Sequence, residues 1–153
     1  MLPEEPPSKL IPIIQPNHPA VRIGYSQDSG RHTIAKKRIL PNQIIDRIPV
    51  LVLPTTQIKK LKKTDLYAYV FEWDIQERYL VTGDLVQCDP RYSQGVALGL
   101  ISLCNHSDFP NATYRFNYRE KWIDWVAIKP IHKDQEITIH YRVPLWFEIS
   151  EGS

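Results

Sequence analysis

Short apolar segments, separated by turn residues and prolines, limit this chain to folds that are built from short strands. Val21 to Tyr25 alternates in polarity, Ser26 to Gly30 supplies turn residues, and Arg31 to Ala35 reads as the next strand. The apolar run from Ile44 to Leu53 contains Pro49, which we expect to break it because proline cannot donate to a sheet ladder. Many short strands with turns between them predict an all-β or β-dominated fold.

Other segments fit the same architecture. Leu66 to Trp73 carries aromatic residues at every second position, which predicts a strand with one aromatic face. Thr55 to Lys63 is expected to form a short helix capped by Thr55 or Thr56. The remaining expectations are an irregular helical turn over Gly95 to Cys104, a hairpin over Ala112 to Tyr118 and Lys121 to Ile128, and a last strand over Ile137 to Tyr141.

Length and charge restrict the organisation of the chain. Its 153 residues fit one domain, and six of its 13 prolines fall in the first 19 residues. We therefore predict a proline-rich arm over residues 1–20 and a folded domain over residues 21–153. The 19 basic and 17 acidic residues nearly balance, so overall charge gives no signal for nucleic acid or a membrane surface.

Localisation and assembly are less constrained. The sequence contains no apolar run long enough to span a membrane, and its start, Met1 to Pro7, is unlike a signal peptide. A cytoplasmic protein is expected, or a nuclear one in a eukaryote, and homo-oligomerisation stays open. Lys59 to Lys63 is the densest basic run, and it lacks the interleaved aromatic residues of a nucleic-acid site.

Two polar segments carry the chemical information. The first is Asn105-His106-Ser107, which directly follows an apolar run that contains glycine. Pro110-Asn111 comes shortly after it. Taken alone, such a tripeptide is most often a polar loop. About thirty residues later comes the second segment, with the sequence E-I-T-I-H-Y and a terminal tyrosine. A tyrosine that ends a strand is ordinarily a packing residue.

In their order, spacing and C-terminal placement, these segments together resemble the two signature motifs of the SET-domain protein lysine methyltransferases. The resemblance runs from about Val21 onward and implies a SET-type β-clip of small sheets with a threaded, pseudoknot-like C-terminal segment. It implies methyl transfer from S-adenosylmethionine to a lysine of a protein or peptide. Tyr141 would then be the catalytic residue, orienting the lysine amine and the methyl group.

The same resemblance implies a set of cofactor contacts. The Asn105 amide would bind the amino-acid end of S-adenosylmethionine, because an amide offers both a donor and an acceptor. The backbone of His106 would contact the adenine, and aromatic residues after the tyrosine would cover the adenine or complete the lysine channel. The implied cofactor-binding residues are Gly30, Arg31, His32, Asn105, His106 and Trp146.

Several positions depart from the family pattern. His32 stands at the second glycine of the G-x-G segment, and His140 stands at the aspartate before the tyrosine. Asp134 replaces a glycine at a turn, where aspartate can tolerate a positive φ. Asp108 stands where many members have cysteine, in agreement with the lack of a zinc-binding cluster.

The Y-x-G tyrosine of the family is missing. Tyr67, Tyr69 and Tyr114 are the open candidates to replace it in space. The departures leave a second hypothesis, a catalytically degenerate SET-like protein-interaction module, and a third, a plain β-domain adaptor whose motifs arose by chance.

No metal site is predicted. The chain has no C-x-x-C pair, and Cys88, Cys104 and His106 lack the paired spacing of a zinc site. Acidic residues between the two halves of the domain could instead face a basic peptide. These residues are Asp65, Glu72, Asp74, Glu77 and Asp84.

Overall fold

The computed structural model describes residues 14–73 and 94–141, together with the strand pairs at 78–79 and 85–86. Trp146, Cys88 and most of the predicted arm lie outside the described residues, as do Asp74, Glu77 and Asp84. No helix in the described ranges is long and apolar enough to cross a membrane.

Strands dominate the described part of the chain. They are β1 (Val21–Ser26), β2 (Gly30–Ala35), β3 (Ile44–Leu53), β4 (Val70–Glu72), β5 (Arg78–Tyr79), β6 (Leu85–Val86), β7 (Gln94–Ala97), β8 (Asn105–His106), β9 (Ala112–Asn117), β10 (Trp122–Ala127) and β11 (Thr138–Ile139). The helical elements are α1 (Thr55–Leu61) and two 3-10 helices, Asp65–Tyr69 and Leu100–Leu103. The prediction of a mainly β fold with several small sheets is confirmed.

The largest sheet has five strands in the order β4-β7-β3-β10-β9, all antiparallel to their neighbours. Strand β3 is long enough to pair with β10 over its first half and with β7 over its second. It runs through Pro49, so the predicted break is wrong. Pro49 is the last residue paired with β10 and directly precedes the first residue paired with β7, where a missing N–H is least costly.

Two smaller sheets flank the large one and carry the sequence motifs. Strands β1 and β2 form the predicted hairpin, in register from Val21 opposite Ala35 to Ser26 opposite Gly30. Strands β8 and β11 form a parallel pair in which Thr138 lies opposite Asn105. The last strand is therefore shorter than predicted, and its pairing brings the two signature segments side by side.

The segment Leu66–Trp73 is not the predicted strand. Residues 65–69 form a 3-10 helix with no buried residue, and only Val70–Glu72 pair with β7. Strand β7 ends at Ala97, one residue past the partner of Val70, so it offers almost no partner for residues 66–69. The helix cap was also predicted wrongly, because Pro54 occupies the N-cap and no side chain caps the helix.

The region 95–104 begins as strand and only then becomes helical. Gly95 to Ala97 belong to β7, and the helical turn is confined to Leu100–Leu103. Gly99, between them, lies so close to Ile48 that an added Cβ would come within 2.9 Å of its side chain. This close approach of the Gly99 backbone to Ile48 lets the 3-10 helix that follows pack against the core.

The core lies between the large sheet and the elements that carry the motifs. Trp125, Tyr114 and Ile123 from β9 and β10 are almost completely buried. Ile137 and Ile139, on either side of the start of β11, are equally inaccessible to solvent. The C-terminal motif is therefore anchored by apolar burial as well as by strand pairing.

Candidate functional site

Two cavities meet at the pairing of β8 and β11. The first, which we call the aromatic cavity, has a volume of about 590 Å³ and is lined by Tyr67, Ala68, Tyr69, Val70, Phe71, Glu72, Gln94, Ile101, Ser102, Cys104 and Tyr141. The second, the Asn105 cavity, has a volume of about 610 Å³ and is lined by Tyr25, Ser29, Gly30, Arg31, Ala68, Tyr69, Ser102, Leu103, Cys104, Asn105 and Tyr141. Five residues line both cavities: Ala68, Tyr69, Ser102, Cys104 and Tyr141.

Tyr141 is held at this shared wall by three hydrogen bonds. Its hydroxyl donates to the carbonyl oxygen of Cys104 at 2.7 Å, and its backbone N–H donates to Nδ1 of His106 at 3.1 Å. Its own carbonyl accepts from the hydroxyl of Tyr114 at 3.0 Å. Burial, with a smaller contribution from Cys104, raises the pKa of the Tyr141 phenol. The hydroxyl is therefore neutral and fixed in direction.

Asn111 fastens the segment that leads to Tyr141. Its side-chain amide donates to the carbonyl of Glu136 at 2.8 Å and accepts from the N–H of Thr138 at 2.9 Å. Only 7% of Asn111 is exposed, so both backbone groups are satisfied without solvent. The Ser107 N–H donates to the carbonyl of Ile139 at 2.9 Å and extends the attachment beyond β8.

Asn105 lines the cavity to which it gives its name, and its amide nitrogen already has a protein partner. Nδ2 donates to a carboxylate oxygen of Glu136 at 2.9 Å. The bond holds a carboxylate beside the Asn105 amide, although Glu136 itself does not line the cavity. Sequence reasoning gave Glu136 no role, since its partnership with Asn105 depends on the pairing of β8 with β11.

The hairpin β1–β2 forms the opposite side of the Asn105 cavity. Gly30 has a φ of +69°, a conformation that favours glycine, and Gly30 and Arg31 line the cavity. His32 lines neither cavity, and its Nδ1 lies 3.2 Å from the carbonyl oxygen of Gly30. The role of His32 as a cofactor contact stays a prediction. Its ring is placed to hold the glycine turn.

Backbone bonds tie this hairpin to the tyrosine segment. The N–H of Ala35 donates to the carbonyl of Gln135 at 2.9 Å, and the N–H of Ile137 donates to the carbonyl of Thr33 at the same distance. Asp134, at the turn just before, has a φ of +69°, as its place at a family glycine predicts. The carbonyl of Ala35 accepts the Asp134 N–H at 2.8 Å.

The candidates to replace the missing family tyrosine separate by position. Tyr114 is buried beneath the site and bonded to the Tyr141 backbone, so it lines neither cavity. Tyr67 lines the aromatic cavity, and Tyr69 lines both cavities. Tyr69 is therefore the residue best placed to substitute, and Glu72 is the carboxylate that shares the aromatic cavity with it.

The thiol of Cys104 is structural. It donates to the carbonyl of Ile137 at 3.1 Å, and Thr33 Oγ1 donates to the same oxygen at 3.1 Å. Burial raises the pKa of the Cys104 thiol to about 12. A buried, protonated thiol of this kind is neither a nucleophile nor a metal ligand.

His106 forms a cluster with Asp108 and His140, two residues that the sequence analysis did not combine with it. Its Nε2 lies 3.1 Å from a carboxylate oxygen of Asp108, and its ring packs edge-on against His140 at 4.5 Å between centroids. One donor atom from each of these three side chains lies within 4.8 Å of the other two. The expectation of no metal site did not consider this grouping.

Comparisons with known proteins agree with the geometry. The model of the SET domain family matches residues 30–142. A Schizosaccharomyces pombe protein, "Histone-lysine N-methyltransferase, H3 lysine-37 specific", is 30% identical over 82 residues, which cover 54% of this chain and 56% of the relative. The match thus spans about half the length of that curated relative.

Solved structures share the fold. A Plasmodium falciparum protein assigned as a histone methyltransferase has a TM-score of 0.60 at 24% identity, covering 83% of this chain and 96% of that one. The Neurospora SET domain protein DIM-5, a histone lysine methyltransferase, has a TM-score of 0.55 at 19% identity, covering 81% and 53%. A Chaetomium thermophilum Polycomb Repressive Complex 2 structure has a TM-score of 0.62 at 17% identity, covering 83% and 16%.

Proposed function

Because the chain belongs to the SET-domain family, we propose that it transfers a methyl group from S-adenosylmethionine to a lysine side chain of a protein. The observation that carries this proposal is the pair of cavities that share one wall at Tyr141. A two-substrate transfer needs the donor and the acceptor held on either side of one reacting point. The shared wall provides such a point, with a fixed hydroxyl beside it.

The residues of the Asn105 cavity fit S-adenosylmethionine. A volume of about 610 Å³ lies within the range of small-molecule sites. The guanidinium of Arg31 is suited to the carboxylate of the amino-acid end. The amide oxygen of Asn105, with the carboxylate of Glu136 beside it, is suited to the ammonium group. The proposed contacts of the His106 backbone, the His32-braced turn and Trp146 would complete the site.

The chemistry needs no nucleophile from the protein. S-adenosylmethionine supplies a methyl group on a positively charged sulfur. The neutral lysine amine forms the new bond to the methyl carbon as the carbon–sulfur bond breaks, and the displaced electron pair stays on sulfur. A free lysine has a pKa of about 10.4, so the enzyme must favour the neutral amine. The positive charge of the bound cofactor would do so by disfavouring a second positive charge beside it.

Tyr141 would orient the amine. Because its hydroxyl hydrogen is donated to Cys104, the lone pairs of the oxygen stay available as acceptors for the lysine N–H groups. The raised pKa keeps the phenol protonated, so this direction persists at neutral and mildly alkaline pH. Tyr69, on the same shared wall, would close the lysine channel from the other side.

The proposed substrate is a histone. The S. pombe relative acts, by its name, on a lysine of histone H3. The carboxylate of Glu72 in the aromatic cavity gives this chain a matching preference for cationic peptides. A histone substrate would place the activity in a eukaryotic nucleus.

Cofactor binding and transfer test the proposal together. Calorimetry should detect S-adenosylmethionine binding to the parent, and labelled methyl groups should reach histone H3. Asn105→Ala should weaken binding by a factor of about ten, because a lost polar contact typically costs about 1–3 kcal/mol. Asn17→Ala, which removes an exposed amide outside both cavities, is the matched control. Absence of cofactor binding at millimolar ligand would overturn the proposal.

A degenerate interaction module is the second candidate function. The observation that favours it is the Asn105 Nδ2, which is already engaged by Glu136 rather than pointing free into the cavity. This candidate predicts cofactor binding without transfer, or neither. The variants His140→Asp and His32→Gly restore the family pattern, and a gain of transfer in either would identify a methyltransferase with a weakened site.

A further inference from the structure

A second site lies beside the tyrosine segment, and none of its side chains lines either cavity. His106 follows Asn105 in β8, Asp108 lies two residues later, and His140 directly precedes Tyr141. The parallel pairing of β8 with β11 brings them together, so that one donor atom from each lies within 4.8 Å of the other two. Asp108 is 80% exposed and His106 is 36% exposed, so the cluster is open to solutes.

The chemistry of this cluster suits a transition-metal ion. Two imidazoles and one carboxylate are ligands that Zn²⁺, Ni²⁺ and Cu²⁺ accept, with open positions left for water. Ligand atoms around a tetrahedral zinc are roughly 3.4 Å apart, as follows from metal–ligand distances of about 2.0–2.2 Å. The spacing here exceeds that by little more than an ångström at most, and the exposed side chain of Asp108 can close it by rotating.

Two of the three proposed ligands stand at positions where this chain departs from the family motif. The family segment it resembles has aspartate where His140 stands, and often cysteine where Asp108 stands. Those two departures face the same ring of His106. Both departures therefore contact the same side chain, close to the proposed catalytic residue Tyr141.

Occupancy of this site would affect Tyr141 through the tautomer of His106. Nδ1 of His106 accepts the backbone N–H of Tyr141 at 3.1 Å, so the proton of the neutral ring lies on Nε2, facing Asp108. A metal ion on Nε2 would require that proton to leave or to move to Nδ1. With a proton on Nδ1, the ring can no longer accept from Tyr141.

We propose that His106, Asp108 and His140 form a binding site for a divalent transition-metal ion, and that the ion displaces the hydrogen bond between His106 and the Tyr141 backbone. The site would make the placement of Tyr141 sensitive to zinc or a similar ion. None of its three residues lines either cavity, although the His106 backbone is a proposed cofactor contact, and metal binding does not depend on methyl transfer.

Calorimetric titration of the full chain with zinc chloride tests the first half of this proposal. The parent should bind one ion per chain. His140→Phe keeps a ring against His106 but offers no ligand atom, and Asp108→Asn keeps the shape of the side chain without its charge. Each variant should bind zinc at least about tenfold more weakly than the parent. His132→Asn, which removes an exposed histidine outside the cluster, should bind like the parent.

Nuclear magnetic resonance of the backbone amides tests the second half. At a zinc concentration just sufficient to saturate the parent, the Tyr141 amide resonance should shift in the parent and shift much less in His140→Phe. Zinc binding of equal strength in His140→Phe and Asp108→Asn, or no binding to the parent, would overturn the site. Binding without a change at the Tyr141 amide would overturn the displaced hydrogen bond. None of these results depends on whether the protein methylates lysine.

Discussion

The two sides of the shared wall are built very differently. Tyr141 ends a segment, residues 134–141, whose backbone is bonded to β2, to β8 and to the side chain of Asn111. Tyr69 ends a 3-10 helix that contains no buried residue, and its continuation β4 pairs with β7 over only three residues. We call the first the braced side and the second the light side.

The difference teaches which half of the site can adapt. A segment with buried, satisfied backbone groups opens only at a large free-energy cost, whereas a surface turn with few buried contacts opens readily. The braced side fixes the position of the Tyr141 hydroxyl. Under the proposed function, the light side, with Tyr67, Tyr69 and Glu72, would adjust to the peptide that delivers the lysine.

The largest effect is expected from Tyr141→Phe, which removes one oxygen from the braced side. Methyl transfer should fall by about 100-fold or more, equivalent to about 2.7 kcal/mol, since the lost interaction is made with the reacting amine. Folding and cofactor affinity should change little because the ring remains. Labelled transfer onto histone H3 measures the effect, and a Phe variant as active as the parent would remove the hydroxyl from the mechanism.

Asn111→Ala should cost about 2–3 kcal/mol of folding free energy. The substitution leaves the carbonyl of Glu136 and the N–H of Thr138 without their partner in a buried site. Urea unfolding with an unchanged slope would give the value.

Asn111→Asp is the matched variant for that experiment. It keeps an acceptor for Thr138 but places a carboxylate oxygen against the Glu136 carbonyl in a buried site, so at neutral pH it should be at least as destabilising as the alanine variant. If Asn111→Ala lowers the free energy of unfolding by less than about 0.5 kcal/mol, the braced side does not depend on the two hydrogen bonds of the Asn111 side chain.

The sequence predicted the parts of the fold that local chemistry determines. The hairpin β1–β2 and the hairpin β9–β10 follow from alternation and turn residues within a few positions. Leu66 to Trp73 was misjudged because its alternation would need a neighbouring strand along its whole length, and β7 ends at Ala97, one residue past the partner of Val70. Whether such a partner exists depends on distant sequence.

The candidate site likewise contains parts that the sequence could predict and parts that it could not. Asn105 and Tyr141 could be named because their motifs are contiguous, and the resemblance supplied their roles. The hydrogen bond between Asn105 and Glu136 joins residues 31 positions apart in the sequence. The two side-chain hydrogen bonds of Asn111 join residues 25 and 27 positions apart. No local pattern encodes such contacts. The two cavities and the choice of Tyr69 over Tyr114 likewise appear only when β4, β8 and β11 are assembled.

Alkaline pH should weaken the braced side through Cys104. Its folded pKa is about 12 against an ordinary 9.0, so the unfolded thiol ionises first. The stability is fully present below pH 9 and is lost as pH rises towards 12, by about 1 kcal/mol at pH 10. In Cys104→Ala, the free energy of unfolding should fall less between pH 8 and pH 10 than in the parent, by about 1 kcal/mol. An identical pH profile in the variant would contradict the buried-thiol assignment.

The smallest effect on stability is expected on the light side, from Tyr69→Leu. Tyr69 is 37% exposed and its helix contributes no buried residue, so the folding free energy should fall by less than about 1 kcal/mol. The variant should still change the KM for a histone peptide, because Tyr69 lines both cavities. Tyr67→Leu, equally exposed but lining only the aromatic cavity, is the matched control. It should alter peptide binding without altering cofactor affinity, whereas Tyr69→Leu should alter both. A loss of stability from Tyr69→Leu as large as that from Asn111→Ala would erase the contrast between the two sides, and the wall would then be one rigid unit.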